Sequence, residues 1–304
     1  MLWPGVLRAS AVADLTLGKR LRYAVETAGV LVAYALLRAL PLDRASALGG
    51  WLGRSLGPKL GLSRRARRNL ALAMPELEPE AVERIVGEMW DNLGRFAGEM
   101  PHIADLDCSE AGGRVEVVGL EHVRAAAEAE GCIFFSGHIA NWELLPVAAR
   151  QHGIDLDAVY RAANNPWIDQ LIRNIRVGRL HPKGAQGARL AVAGLKAGRP
   201  LALLVDQKMN DGIAVPFFGH EAMTAPALVD LARRYRLPAY PARVERLQGA
   251  RFRITVFPPL RFEAGPDRHA DLAEGMTRVN AILEGWIRAR PGQWLWLHRR
   301  WPES

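Results

Sequence analysis

The predicted architecture of this chain follows from one segment, "CIFFSGHIANWELLPVAA" (residues 132–149). Its first residues form an unbroken apolar run, which is typical of a buried strand. The run stops at Ser136-Gly137-His138, and apolar residues with helical spacing follow. A strand, a short turn and a helix in this order are the repeating unit of an α/β fold. His138 in the turn and Glu143 at the start of the helix are therefore the first candidate site residues.

The alternation of strands and helices continues through the rest of the chain. Further strands are predicted at residues 114–119, 156–161, 200–206, 238–247 and 251–260. Strands separated by helices favour an α/β domain with a mostly parallel central sheet flanked by helices. We expect this domain over residues 101–304, after a helical region over residues 1–100. Ligands of such sheets bind beyond the carboxyl ends of the strands, where His138, Arg161 and Asp206 are all predicted.

The helical region contains a candidate membrane anchor at about residues 22–40. Its apolar run is shorter than the ~20 residues that a full span needs. The sequence therefore predicts a helix that dips into one leaflet or spans marginally, and a buried core helix is the alternative. Residues 44–69 follow as an amphipathic segment that ends in four close arginines. Such a cluster favours an anionic bilayer surface, and a solvated helix face is the alternative.

Composition restricts the partners without choosing among them. The formal net charge of +8 favours a nucleic acid, an anionic membrane, a phosphorylated substrate or an acidic carrier protein, although a high-GC genome also enriches arginine. The two cysteines have neither disulfide-framework nor metal-ligand spacing. No dinucleotide motif or metal cluster is visible, so the sequence predicts neither a cofactor nor a metal.

The spacing of His138 and Glu143 is not informative by itself, because an acid stands five residues after five of the eight histidines. The strand before this pair and the helix after it make it a candidate. Residues five apart on a helix point roughly 140° away from each other. The two side chains can meet only if His138 lies in the turn and the helix begins near Asn141. A neutral histidine can then remove the proton of a hydroxyl, and the carboxylate can hold its tautomer. No Gly-x-Ser-x-Gly nucleophile motif is present, which favours direct transfer between two bound substrates. A buried histidine beside an unrelated surface acid is the alternative.

Five ordered blocks resemble the lipid A biosynthesis acyltransferases, the lauroyl and myristoyl transferases of Gram-negative bacteria within the lysophospholipid acyltransferase superfamily. They are "FFSGHIANWEL", "RRARRNLALAMPEL" (64–77), "VYRAANNPWIDQLIRNIR" (159–176), "LLVDQK" (203–208) with "VPFFGHEAMTAPALVDLA" (215–232), and "QWLWLHRRW" (293–301). The resemblance implies a fold like that of the glycerolipid acyltransferases. It also implies a membrane-anchored enzyme at the cytoplasmic face of the bacterial inner membrane.

The reaction that the resemblance implies is the transfer of a fatty acyl chain from an acyl-carrier-protein thioester to a hydroxyl of a lipid A precursor. The expected partners are thus the acyl carrier protein, a lipid acceptor and an anionic membrane surface. His138 would be the general base and Glu143 its partner. The residues that would bind substrate are Arg161, Asp206, Gln207 and Asn141. As structural alternatives, Arg161 could be a surface residue and Asp206 a helix cap.

Three other functions compete with this interpretation. The same chemistry could act on a lysophospholipid, an aminolipid or a glycosylated phosphoinositide, with acyl carrier protein or acyl-CoA as donor. A nucleic-acid-binding protein would use the net charge, but it should interleave basic and aromatic residues on one surface, and no recognition motif is present. We therefore expect no nucleic acid partner. An inactive membrane scaffold of the same fold is the third.

Overall fold

The computed structural model describes residues 16–109 and 113–302, so the first fifteen residues of the predicted helical region lie outside it. Within the described ranges, four α-helices precede the first strand, and the others connect or cover the strands. The helices are α1 (Leu17–Ala39), α2 (Leu42–Leu56), α3 (Ser63–Ala73), α4 (Pro79–Glu99), α5 (Leu120–Glu128), α6 (Leu144–Gln151), α7 (Pro166–Ile175), α8 (Ala185–Lys196), α9 (Ala227–Tyr235) and α10 (Arg268–Ala289).

The strands form a seven-stranded central sheet and a separate two-stranded hairpin. They are β1 (Val115–Val118), β2 (Ile133–Ser136), β3 (Asp157–Tyr160), β4 (Arg179–Pro182), β5 (Leu201–Leu204), β6 (Lys208–Phe217), β7 (His220–Thr224), β8 (Ala239–Gln248) and β9 (Arg251–Val256). The order in the sheet is β1-β9-β8-β2-β5-β3-β4, and β6 pairs with β7. Every neighbouring pair of the large sheet is parallel except β8 with β9.

The predicted fold class is confirmed, and the segments predicted as strands coincide with β1, β2, β3, β5, β8 and β9. The prediction did not include β4 or the β6–β7 hairpin. β4 is four residues long and has no buried position, so it carries no apolar signal. β6 contains Gly212 and Pro216 and pairs with β7 through a register shift, which removes the regular alternation of a strand.

The parallel strands β2, β5, β3 and β4 bring their carboxyl ends to one edge of the sheet, and the turn after β2 lies at this edge. The apolar core includes the fully buried rings of Trp294 and Trp296. The same core takes in Leu70 and Met89 of the N-terminal helices, so it is continuous across residue 100. The division of the chain there stays a prediction.

Helix α1 is mostly exposed, with Tyr23 its only buried residue, so the alternative of a buried core helix is wrong. Exposed apolar residues form a stripe along α1, at Leu17, Leu21, Val25, Val32 and Leu36. The exposed apolar surface continues on α2, at Leu48, Trp51, Leu52 and Leu56. Within the described ranges, no helix is both long and apolar enough to cross a membrane. The predicted anchor is therefore not confirmed as a span.

Most arginines of the 64–68 cluster bind protein groups rather than standing free. Arg67 donates to Glu83 at 2.8 Å and to the Pro58 carbonyl at 3.2 Å. Arg65 donates to the Leu297 carbonyl at 3.1 Å, and Arg68 donates to the Pro302 carbonyl. The bonds of Arg65 and Arg68 fix α3 against residues near the carboxyl end of the chain. Three of the four arginines thus have protein partners, and contact of the cluster with an anionic bilayer stays a prediction.

Candidate active site

His138 lies in the turn directly after β2, with its backbone fixed on both sides. Its carbonyl accepts a hydrogen bond from Leu295 N at 3.1 Å, and its N–H donates to Asp206 Oδ2 at 2.7 Å. Gly137 allows this approach, because a Cβ at that position would lie 3.2 Å from the same carboxylate oxygen. The imidazole itself is 14% exposed at the carboxyl edge of the sheet.

Asp206 holds the imidazole. Its Oδ1 lies 2.7 Å from His138 Nδ1, and its Oδ2 also accepts a hydrogen bond from Trp294 Nε1 at 2.8 Å. Burial alone would raise the pKa of this fully buried carboxyl, but the charge and hydrogen bonds of His138 outweigh burial and lower the pKa below its usual range. The ionised carboxylate therefore keeps the ring proton on Nδ1 and leaves Nε2 as the acceptor. The amide nitrogen of Gln207 lies 3.2 Å from that Nε2.

Glu143 takes a different place from the one predicted. Its Oε1 accepts hydrogen bonds from Arg176 Nη2 at 2.5 Å and from Trp142 Nε1 at 3.1 Å. No hydrogen bond joins Glu143 to His138 among the described residues, so the expected carboxylate partner of the imidazole is Asp206 instead. Helix α6 begins only after Glu143, and the chain before it forms a loop, so the acid points to α7 rather than back to the ring. Glu143 still adjoins the site, because the ring of Trp142 packs 4.9 Å from that of His138.

The loop from His138 to Glu143 is strained and buried. Ala140 has a φ of 52°, a left-handed conformation that costs a residue with a Cβ roughly 1–2 kcal/mol. Asn141 has no exposed surface, and its amide donates to Glu99 Oε2 at 2.8 Å. Direct contact between Asn141 and a substrate would require this loop to move. In the structure Asn141 supports the loop instead.

Arg161 and Gln207 are the exposed members of the predicted set. Arg161 follows β3, which lies two strands away from β2 at the same edge of the sheet. Among the described residues it makes no hydrogen bond or ion pair, so its guanidinium is available to a ligand. The structure thus brings His138, Asp206 and Gln207 into contact, with Arg161 along the edge.

His298 lies beside His138 in the site. Its ring lies 4.9 Å from that of His138, and its Nε2 is buried without a hydrogen-bond partner. Burial lowers the pKa of His298 to about 4, so the ring is neutral at pH 7. His138, Asp206 and His298 are close enough to hold a metal ion. The three hydrogen bonds that Asp206 accepts account for its position without one.

Three further residues of the site could not be chosen from the sequence. Trp142, Arg176 and Trp294 all lie in segments that carry the family resemblance, but their places in the site depend on tertiary contacts. The position of Asp206 after an apolar strand did mark it as a residue of the sheet edge. Its role as the partner of His138 required the neighbouring positions of β2 and β5.

A histidine held by a buried carboxylate at the carboxyl edge of a parallel sheet is an arrangement typical of α/β enzymes. A comparison with family models gives the particular group. The model described as bacterial lipid A biosynthesis acyltransferase matches residues 16–303, and the chain belongs to this family. It is therefore an enzyme of the acyltransferase class.

The similar proteins agree with this assignment. The lipid A biosynthesis lauroyltransferase of Escherichia coli (strain K12) is 30% identical over 268 residues, which cover 82% of this chain and 83% of the relative. The myristoyltransferase of the same strain is 28% identical over 260 residues, covering 81% and 77%. The palmitoleoyltransferase is 27% identical over 270 residues, covering 81% and 83%.

Proposed function

We propose that the protein transfers a fatty acyl chain from an acyl-carrier-protein thioester to a hydroxyl of a lipid A precursor, at the cytoplasmic face of the bacterial inner membrane. The observation that carries the proposal is the contact of 2.7 Å between His138 Nδ1 and the buried carboxylate of Asp206. It leaves a basic nitrogen at the open edge of the sheet, in a chain whose family and relatives carry lipid A acyltransferase names.

The proposed reaction begins when the acceptor hydroxyl replaces the Gln207 amide at His138 Nε2. The hydroxyl proton passes to Nε2 while its oxygen attacks the thioester carbonyl carbon. The carbon–sulfur bond then breaks, and the leaving thiolate takes up the proton from Nε2. Asp206 stabilises the imidazolium between these steps, because its carboxylate stays ionised beside Nδ1.

Glu143 contributes to this site as a positioning residue. It binds the indole of Trp142, which packs on His138, and it holds the guanidinium of Arg176 at 2.5 Å. Losing the carboxylate would free both groups. Arg161 is the residue that we assign to a phosphate of the acceptor, because its guanidinium is exposed and has no partner among the described residues.

The exposed apolar stripes of α1 and α2 supply the proposed contact with the membrane. A helix with one apolar face lies in the interface plane and does not need the length of a span. An acceptor embedded in the leaflet would then reach the sheet edge without leaving the lipid. The acidic carrier protein suits a chain of net charge +8.

The test is mass spectrometry of lipid products from purified protein given acyl-carrier thioesters with a lipid A precursor, and separately with lysophospholipids. We expect a mass gain of one acyl chain on the lipid A precursor, lost in His138→Ala and kept in His269→Ala, whose exposed side chain lies at the start of α10. A mass gain only on the lysophospholipid would show that the acceptor is another lipid rather than a lipid A precursor. Equal turnover by His138→Ala would contradict the role of His138 as base.

A further inference from the structure

We propose that the buried ion pair Glu99–Arg246 positions the loop that carries His138 and Glu143. This inference rests on the proposed function for its activity readout. The pair lies behind the loop, between α4 and β8, and touches neither His138 nor the sheet edge. Its members would act on turnover through the backbone of residues 140 and 141.

Glu99 is the centre of the arrangement. It ends α4 with no exposed surface, and each of its carboxylate oxygens is bound on two sides. Oε1 accepts from Ser46 Oγ at 2.6 Å and from Arg246 Nη1, while Oε2 accepts from Arg246 Nη2 at 3.0 Å and from Asn141 Nδ2 at 2.8 Å. The contact with Asn141 ties the loop directly to the carboxylate.

Arg246 reaches the same loop by a second route. Its Nε donates to Asn92 Oδ1 at 2.9 Å, and Asn92 Nδ2 in turn donates to the Ala140 carbonyl at 3.3 Å. The backbone of Arg246 also binds the side chain of Gln293 through two hydrogen bonds, at 2.9 and 2.7 Å. The carbonyl of Gln293 accepts from Ala140 N at 2.9 Å. Both peptide groups of Ala140 are therefore held by neighbours of the ion pair.

These contacts act on the one loop residue whose conformation needs support. Ala140 occupies the left-handed region, and such a residue persists only where the surrounding structure over-determines it. His138 lies two residues before Ala140, and Glu143 three residues after it. A relaxation of Ala140 would thus displace the imidazole on one side and the Glu143–Arg176 contact on the other.

A buried ion pair can also serve stability alone, and the chain offers a matched control for that role. Asp157 is fully buried at the first residue of β3, where its Oδ2 pairs with Arg199 Nε at 3.1 Å. It lies at the amino end of the sheet, opposite the site. Breaking this pair also removes a buried charge contact, but it leaves the loop untouched.

The experiment compares wild type, Glu99→Gln and Asp157→Asn as purified full-length proteins, well below their unfolding temperatures. Steady-state acyl transfer gives kcat and KM. The rate at which diethyl pyrocarbonate modifies His138 is measured by peptide mass spectrometry. This rate reports the position and accessibility of the imidazole independently of turnover. If Glu99→Gln does not fold, Asn92→Ala replaces it, because this change removes the link to Ala140 and keeps the ion pair.

We expect Glu99→Gln to lower kcat by about 10²-fold with KM unchanged, since small displacements of reacting groups have effects of this size. Modification of His138 should become several-fold faster. Asp157→Asn should lower the unfolding temperature and leave both readouts at their wild-type values. Wild-type kcat and modification rate in folded Glu99→Gln would overturn the proposal. If wild type itself shows no acyl transfer, the proposed function fails, and the modification rates still decide the positioning role.

Discussion

The side chain of Asp206 shows how one buried residue sets the chemistry of another. Its carboxylate has no contact with water, and burial alone would raise its pKa. The charge and hydrogen bonds of His138 lower the pKa instead, and Trp294 donates one further hydrogen bond. The negative charge then determines which ring nitrogen of His138 carries the proton.

Replacing this carboxylate should cost turnover rather than folding. In Asp206→Asn the amide cannot stabilise the imidazolium, so we expect kcat to fall about 10²–10⁴-fold in the lipid product assay. Asp155→Asn, which removes an exposed carboxylate paired with Arg179, should leave kcat unchanged. If Glu143→Gln lowers kcat more than Asp206→Asn does, Glu143 and not Asp206 is the functional partner of the imidazole.

His298 should make stability depend on pH. Burial lowers its pKa from 6.5 to about 4, so between these values the unfolded chain binds more protons than the folded one. The contribution of His298 to the free energy of unfolding is complete above pH 6.5. It is lost as the pH falls towards 4, and the total loss is about 3 kcal/mol. Urea unfolding over this range should show a steeper fall for wild type than for His298→Gln. The exposed variant His269→Gln should keep the wild-type slope, and equal slopes in all three would contradict the prediction.

At the scale of elements, α2 and α4 pack with their backbones in contact. A Cβ at Gly49 would lie 2.2 Å from the Gly94 carbonyl oxygen, and one at Gly94 would lie 2.0 Å from that of Gly49. Gly53 and Gly98 face the partner helix in the same way, at 2.1 and 2.3 Å from backbone oxygens. Glycines at four-residue intervals on both helices therefore set the distance between them.

Adding one methyl group at this contact should separate the helices. We expect Gly94→Ala to lower the free energy of unfolding by about 1–3 kcal/mol or more, because neither backbone can yield. Gly87→Ala, in the same helix with no atom within 4 Å of the new Cβ, should be neutral or raise stability by up to about 1 kcal/mol. Urea denaturation measures both, and an unchanged Gly94→Ala would show that the helices can adjust.

The elements that the sequence predicted are those whose own residues carry the signal. Strands β2 and β5, and the turn at His138, are recognisable because each strand is an unbroken apolar run that polar residues follow. The glycine contact of α2 with α4 and the partner of His138 depend on which segments meet in space. Glu143 illustrates the limit, because the spacing placed an acid near the imidazole while the sheet order gave that place to Asp206.

At the scale of the whole molecule, the exposed apolar residues of α1 and α2 should govern binding to lipid. Placing a charge at Trp51 or Leu56, as in Trp51→Glu or Leu56→Glu, should lower partitioning onto phosphatidylglycerol vesicles about tenfold or more, because burial of such a side chain contributes about 1.5–3 kcal/mol. Leu190→Glu, at an exposed leucine of α8, is the control and should bind as wild type. Flotation of the proteins with vesicles measures the difference, and equal flotation of all variants would assign the contact to another surface.

The segment from Trp294 to His298 completes the site, through the indole on Asp206 and the imidazole beside His138. The ribosome makes this segment after every other part of the site. A chain still in synthesis therefore carries the exposed apolar residues of α1 and α2 while His138 and Asp206 lack these two contacts. We expect the proposed acyl transfer to begin only after this segment has been translated.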